Sequence, residues 1–170
     1  VTTIIGANGC GKSTLFNLMT KNLKYDKGDI KFLGEDISKI KLRALAKKLA
    51  IVHQQNTIPF DITVEKLVSY GRIPYENLCI PSKQEDNEDK ISWAMSVTGV
   101  YDIKGELLSR LSGGQRQRAW IAMSLAQDTD TLLLDEPTTF LDIKHQIEIL
   151  KLIENLNKEH GISIIMVLHD

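Results

Sequence analysis

The stretch that most constrains this chain is Gly6-Ala7-Asn8-Gly9-Cys10-Gly11-Lys12-Ser13-Thr14, which follows the apolar residues Thr3-Ile4-Ile5. It satisfies the pattern G-x-x-x-x-G-K-S/T at every fixed position, a turn that joins a strand to a helix. Glycines at 6, 9 and 11 let the backbone take conformations costly to other residues and approach a polyphosphate closely. Successive N–H groups then point at the α- and β-phosphates, and the helix opening at Lys12 adds its positive end. Lys12 is placed to reach the β and γ oxygens, and the Ser13 hydroxyl to ligate Mg²⁺. The bland alternative is a glycine turn that carries a lysine by chance. The apolar run before it and Leu15-Phe16-Asn17-Leu18-Met19 after it favour a nucleoside triphosphate site.

The rest of the chain arranges itself around this turn. A helix over 12–20 should bury Leu15, Leu18 and Met19; Ile30 to Leu33 alternates like a half-buried strand ending at Gly34. A basic amphipathic helix near 41–48 carries Leu42, Leu45 and Ala46 on one face and lysines on a solvated one. Leu49-Ala50-Ile51-Val52 reads as a buried strand running into His53-Gln54-Gln55. From 56 to 127 the pattern turns to helices and loops. Thr63 stands near the cap of a short helix over Thr63 to Val68, and Ser82 with Glu85 forms a capping-box pair. The helix that pair opens should carry Ile91, Ala94, Met95 and Thr98 on one side. A further helix over 116–126 places Ala119, Ala122, Met123 and Ala126 at helical spacing. Thr131-Leu132-Leu133-Leu134 is the apolar kind of strand buried in a parallel sheet. A helix from Ile143 to Glu159, inward at Ile149, Leu152, Ile153 and Leu156, stops before Gly161, and a last strand spans Ser163 to Leu168.

This order predicts an α/β fold: a P-loop nucleotide-binding core with a mainly parallel sheet over 1–55 and 128–170, and an inserted all-helical subdomain over 56–127. The chain opens on Val1 within the first strand and stops at Asp170 after another, so it reads as an excerpt of a longer domain, cut at both ends. A net charge of −1 gives no support to a nucleic-acid surface. The apolar run Ile164 to Leu168 is too short to span a bilayer. Two cysteines, Cys10 and Cys79, make no disulfide framework and fit a reducing compartment.

Asp135 and Glu136 follow a buried strand, at the edge where open α/β sheets bind ligands. Asp135 suits Mg²⁺ ligation, directly or through water, and Glu136 suits a general base that polarises an attacking water. A pair of surface carboxylates is the alternative, weakened by the phosphate loop in the same chain. Ser112-Gly113-Gly114-Gln115 opens a helix with a hydroxyl and two glycines, either a flexible turn or a second anion site, one that serves the nucleotide of a partner copy. Cys10, at a helix N-terminus beside Lys12, is in a setting that raises thiol reactivity, against the duller role of a small filler.

Leu111-Ser112-Gly113-Gly114-Gln115 resembles the signature motif of ABC-type ATPases. The phosphate loop, Gln54, this signature, Asp135-Glu136, Leu141-Asp142 and His169 follow in that family's order along the whole chain. The resemblance implies that Gln54 contacts Mg²⁺ and the attacking water and senses a membrane partner; Gln54, which directly ends the strand, is taken in preference to Gln55. It implies that Asp142 lies at a dimer interface, where it can also cap the helix at Ile143. His169 would be the switch histidine at the γ-phosphate. His53, His145 and His160 match no motif and read as structural or exposed. The implied activity is ATP hydrolysis with ATP and Mg²⁺, by a homodimer or paired ATPase subunit on the cytoplasmic face of the cell membrane. It would serve an integral permease and, indirectly, a substrate-binding protein.

Leu67 to Tyr75, Arg116 to Met123 with Trp120, and Leu141 to Gln146 further resemble importer ATPases for ferric siderophores, and more loosely those for haem and cobalamin. A non-transport ABC ATPase is the remaining alternative. Within the helical arm, Tyr70 to Tyr75 combines aromatics with Arg72, either as a permease-docking surface or as a loop packed on its own arm.

Overall fold

The computed structural model describes residues 1–54, 56, 61–76 and 84–168, with the side chains of 84 and 85 excepted. His169, Gln55, Cys79 and the Ser82–Glu85 capping pair therefore lie outside what can be described. In chain order the elements are β1 (Thr2–Ile4), α1 (Lys12–Met19), β2 (Lys31–Phe32), β3 (Glu35–Asp36), α2 (Leu42–Leu45), β4 (Leu49–Val52) and α3 (Val64–Ser69). They continue with α4 (Gln84–Val97), α5 (Gly113–Ala126), β5 (Thr131–Asp135), α6 (Ile143–His160) and β6 (Ser163–Val167).

Four strands form one parallel sheet in the order β1-β6-β5-β4. The central strand β5 pairs Leu49↔Thr131 through Val52↔Leu134 on one side and Thr131↔Ser163 through Asp135↔Val167 on the other. It is covered on both faces, which is why its sequence is unbroken leucine rather than alternating. Leu132, Leu134, Ile164 and Met166 pack towards α5 and α6, in a cluster that also holds the buried residues of α3 and α4. Leu133 and Val167 point the other way, onto Phe16, Ile37, Ile40 and Leu45.

Most expected elements are present, with differences that have physical reasons. In α1 the anchor is Phe16, 1% exposed, with Lys12 and Thr20 on the same side, while Leu15 is 42% exposed. The inward stripe runs at 12, 16 and 20, a spacing of four that keeps those residues on one face. α2 is a single turn, and Leu42 stands out in solvent while Leu45 alone is buried. The strand expected to end at Gly34 turns back instead: Lys31↔Asp36 and Phe32↔Glu35 pair antiparallel through a turn with Leu33 at φ 51° and Gly34 at φ 83°. Positive φ at both central residues is what the type I′ form of a two-residue hairpin turn requires. α5 begins at Gly113, three residues before the expected start, because Ser112 and Gln115 form a reciprocal capping box. α6 ends on Gly161 in the left-handed conformation, and Thr63 caps α3 by accepting from the Lys66 N–H.

Candidate functional site

Every strand of the parallel sheet ends at the same edge, and this brings together residues far apart in sequence. β1 leads into the loop Gly6–Gly11, β4 into Gln54, β5 into Asp135 and Glu136, and β6 into Leu168. The ladder continues past the strands: the Glu136 N–H donates to Val167 O (3.0 Å) and the Leu168 N–H to Ile4 O (3.0 Å). The loop and the acidic turn are thereby fixed to one frame.

Within the loop the three glycines have two different reasons. Gly9 and Gly11 are left-handed, at φ 81° and 98°, a region that favours glycine. Gly6 is a matter of space, since a Cβ there would stand 2.8 Å from Cys10 Sγ and the Cys10 side chain would have to turn aside. Gly11 makes the N-terminal cap of α1 without any side-chain acceptor, leaving the N–H groups of the first turn aimed outward. Lys12, 8% exposed as a residue, folds over the loop, and its ammonium donates to the carbonyls of Gly6 and Ala7 (3.1 Å to the latter).

Glu136 faces this loop across a cavity of about 190 Å³ lined by Asn8, Gly9, Gly11, Lys12, Ser13, Thr14 and Glu136. It is 6% exposed and left-handed, at φ 50°. A non-glycine residue in that conformation carries strain of about 1–2 kcal/mol. The turn is closed by the Thr139 N–H on Glu136 O (3.2 Å). The carboxylate is held from two sides: Oε2 accepts from the Gln54 side-chain amide and from Thr139 Oγ1 (3.1 Å). Gln54 and Glu136, 82 residues apart, meet as a direct pair. Thr139 is a residue that sequence reasoning missed; its only signal is its place three residues after Glu136, in Glu136-Pro137-Thr138-Thr139.

Ser112, Gly113, Gly114 and Gln115 occupy a different place, at the start of α5. Ser112 Oγ accepts from the Gln115 N–H (3.2 Å) and Gln115 Oε1 accepts from the Ser112 N–H (3.0 Å). Gly114 is buried against α6, where any Cβ would overlap the His145 ring. Asp142 caps α6, accepting from the His145 N–H (3.0 Å) and from His145 Nδ1 (2.7 Å). These bonds, the backbone one first, hold the Asp142 carboxyl below the usual carboxylate range. None of the residues lining the 190 Å³ cavity comes from α5. The candidate residues therefore form two groups in one copy.

Of the two readings of the Tyr70–Tyr75 stretch, the surroundings of Arg72 support the loop packed on its own arm. Arg72 is 3% exposed: its Nε donates to Asn87 Oδ1 (2.8 Å), its Nη1 to Ala126 O (2.9 Å), and its guanidinium lies 4.1 Å from the Tyr75 ring centre. It ties α4 and the end of α5 to the turn Tyr70–Tyr75, whose outward residues are Tyr70 and Ile73.

Among the described residues no three His, Cys, Asp or Glu side chains cluster as a metal site. The oxygen donors at the edge, Ser13, Gln54 and Asp135, nevertheless fit Mg²⁺, which is held by one or two carboxylates plus substrate phosphates rather than by an all-protein cage. No helix among the described residues is long and apolar enough to cross a membrane.

A glycine-rich loop and an acidic turn meeting at the carboxyl edge of a parallel sheet define a P-loop nucleotide-binding protein. The sequence profile of the ABC transporter family matches residues 1–139, and the chain belongs to that family. It is 50% identical over 170 residues to the petrobactin import ATP-binding protein FpuC of Bacillus anthracis, covering all of this chain and 62% of that protein. It is 51% identical to the achromobactin transport ATP-binding protein CbrD of Dickeya dadantii, covering all of this chain and 63% of that one. The chain thus spans less than two thirds of these relatives. Among solved structures it is similar to the dimeric, post-hydrolysis ATP-binding cassette MJ0796 bound to ADP and Pi. The TM-score is 0.79 and the identity 28%, over 99% of this chain and 74% of that one.

Proposed function

We propose that the protein carrying this chain is the ATP-hydrolysing subunit of an importer of ferric siderophore complexes, at the cytoplasmic face of the cell membrane. The observation that carries the hydrolytic half is the meeting of the phosphate loop with a buried glutamate held by Gln54 and Thr139. The relatives named for petrobactin import and achromobactin transport support the cargo half.

On this reading the N–H groups of Gly9 to Thr14 take the α- and β-phosphates, with Asn8 and Cys10 at the loop's crest. Lys12 exchanges the Gly6 and Ala7 carbonyls for β and γ oxygens. Mg²⁺, held by Ser13, Asp135 and Gln54, would neutralise charge between the β- and γ-phosphates. The Glu136 carboxylate takes a proton from the attacking water as its oxygen bonds to the γ-phosphorus, and the bond to the β–γ bridging oxygen breaks. Gln54 orients that carboxylate and the water. His169 would touch the γ-phosphate.

A second copy, or a paired ATPase subunit, closes over the nucleotide with its Ser112 to Gln115 and with Asp142. The separation of the two groups within one copy and the dimeric form of the MJ0796 cassette support this. The helical arm over 56–127, with Tyr70 and Ile73 outward, would dock an integral permease that receives cargo from a substrate-binding protein. Radiolabelled iron–siderophore uptake tests the cargo: a strain lacking the gene should lose uptake and regain it from a plasmid copy. Normal uptake without a redundant ATPase refutes the cargo and leaves the ATPase reading intact.

A further inference from the structure

The starts of α5 and α6 are seated on each other through His145 and Leu141. His145, in the first turn of α6, lays its imidazole against Gly114, where a Cβ would stand 2.9 Å from its Cγ and 3.2 Å from its Cβ. The same ring approaches Asp142 with Nδ1 2.7 Å from Oδ2. A carboxylate only accepts, so Nδ1 is the donor. Leu141 completes the seat with Cδ2 3.3 Å from the place of a Gly113 Cβ, and Gln146 Nε2 donates back to Leu141 O (3.0 Å). Farther along the same two helices, Arg118 Nη1 meets Glu148 Oε2 at 3.1 Å.

Capping alone does not explain the ring. Asp142 caps α6 by accepting the His145 backbone N–H, which every residue but proline supplies. What the imidazole adds is a planar, rigid wedge. One edge is bonded to Asp142, and the Cδ2 edge fills the space that a side chain at Gly114 would need. We propose that His145 is a positioning residue that fixes Ser112-Gly113-Gly114 and Asp142 relative to each other, so that both reach the partner copy's nucleotide as one unit. This rests on the reading of Ser112 to Gln115 as the segment that closes over that nucleotide. His145 does not line the cavity at the phosphate loop of its own copy.

The test uses the full-length protein carrying His145→Ala, His145→Asn or Ser112→Ala. Three quantities are read: kcat and KM for MgATP, and the affinity of the subunit for a fluorescent ATP analogue. The asparagine amide places its two terminal atoms where Nδ1 and Cδ2 stand, so it keeps the donor to Asp142 and the contact on Gly114. His145→Ala should lower kcat about tenfold to a hundredfold, the scale of an ångström-size misplacement. Analogue affinity should stay within about twofold, because the loop that binds it is untouched, and His145→Asn should recover most of kcat. A wild-type kcat in His145→Ala overturns the inference, as does an equal loss in the asparagine variant. A parallel loss of analogue affinity overturns it too, since that marks a general folding defect. A wild-type rate in Ser112→Ala refutes the closure reading, and the inference with it. A slow Ser112→Ala beside a fast His145→Ala refutes the inference alone.

Discussion

Replacing Arg72 by alanine should unfold the helical arm more readily rather than detach a partner. The guanidinium is 3% exposed and donates to Asn87 Oδ1 and to the carbonyl of Ala126, the last residue of α5. That carbonyl is one of the orphan acceptors at a helix end, and truncation leaves it buried and unsatisfied. Two bonds from a charged donor, at about 1.5–3 kcal/mol each, put the loss near 3–6 kcal/mol. The Tyr75 ring, 4.1 Å away, adds about 1 kcal/mol. Asp86, 3.8 Å away with its side chain 65% exposed, adds little because water screens it. Set against a total stability of about 5–15 kcal/mol, this is a large fraction. Urea unfolding of the full-length protein reads it directly. With a slope of about 2 kcal/mol per molar, the midpoint should fall by roughly 2–3.5 M at unchanged slope. Arg72→Lys, which can keep one of the two bonds, should fall between. A midpoint shift below about 0.5 M would show that Arg72 does not hold α4 and α5 to the turn. If transport were uncoupled at the same time, Arg72 would be a docking group after all.

Glu136→Gln should keep ATP binding and slow hydrolysis by roughly 10²–10⁴, about 2.7–5.5 kcal/mol in the barrier, as measured by phosphate release. A rate within a factor of about three of wild type would remove Glu136 from the base role. Cys10, exposed on the loop, should be modified by maleimide with loss of ATPase, MgATP should protect, and Cys10→Ser should resist. Inactivation that persists in the serine variant would contradict this. Gly71→Ala should cost about 3 kcal/mol, because its Cβ would overlap the Met123 carbonyl oxygen, which belongs to helix backbone and cannot turn aside. Thermal unfolding within about 2 °C of wild type would show that α5 can yield.

The candidate site at the sheet edge was legible in the sequence wherever a strand's chemistry was local. The phosphate loop announces itself by its glycines and lysine, and β5 and β6 by unbroken apolar runs that end in Asp135 and at Leu168. What escaped was set by neighbours distant along the chain. The expectation of a Leu15 face on α1 failed because Phe16, one residue on, fills the space above Leu133 and Val167. Whether Arg72 faced a partner or its own arm stayed open in the sequence, because its acceptors, Asn87 and Ala126, lie 15 and 54 residues away. The hairpin at Leu33-Gly34 lacks the Asn-Gly signal that marks such turns, and places leucine in a left-handed conformation. His145 carried no motif at all, and only the approach of Gly114 shows what it touches.

On the proposed function, the Gly6–Thr14 loop binds ATP and a second copy's Ser112 to Gln115 closes over it. Light scattering of the full-length Glu136→Gln protein tests it most directly. With saturating MgATP the mass should double, and adding Lys12→Ala to the same protein should return it to a monomer, because the triphosphate loses its main cation. A Glu136→Gln protein that stays monomeric in saturating MgATP, or one that dimerises equally well without Lys12, would contradict it.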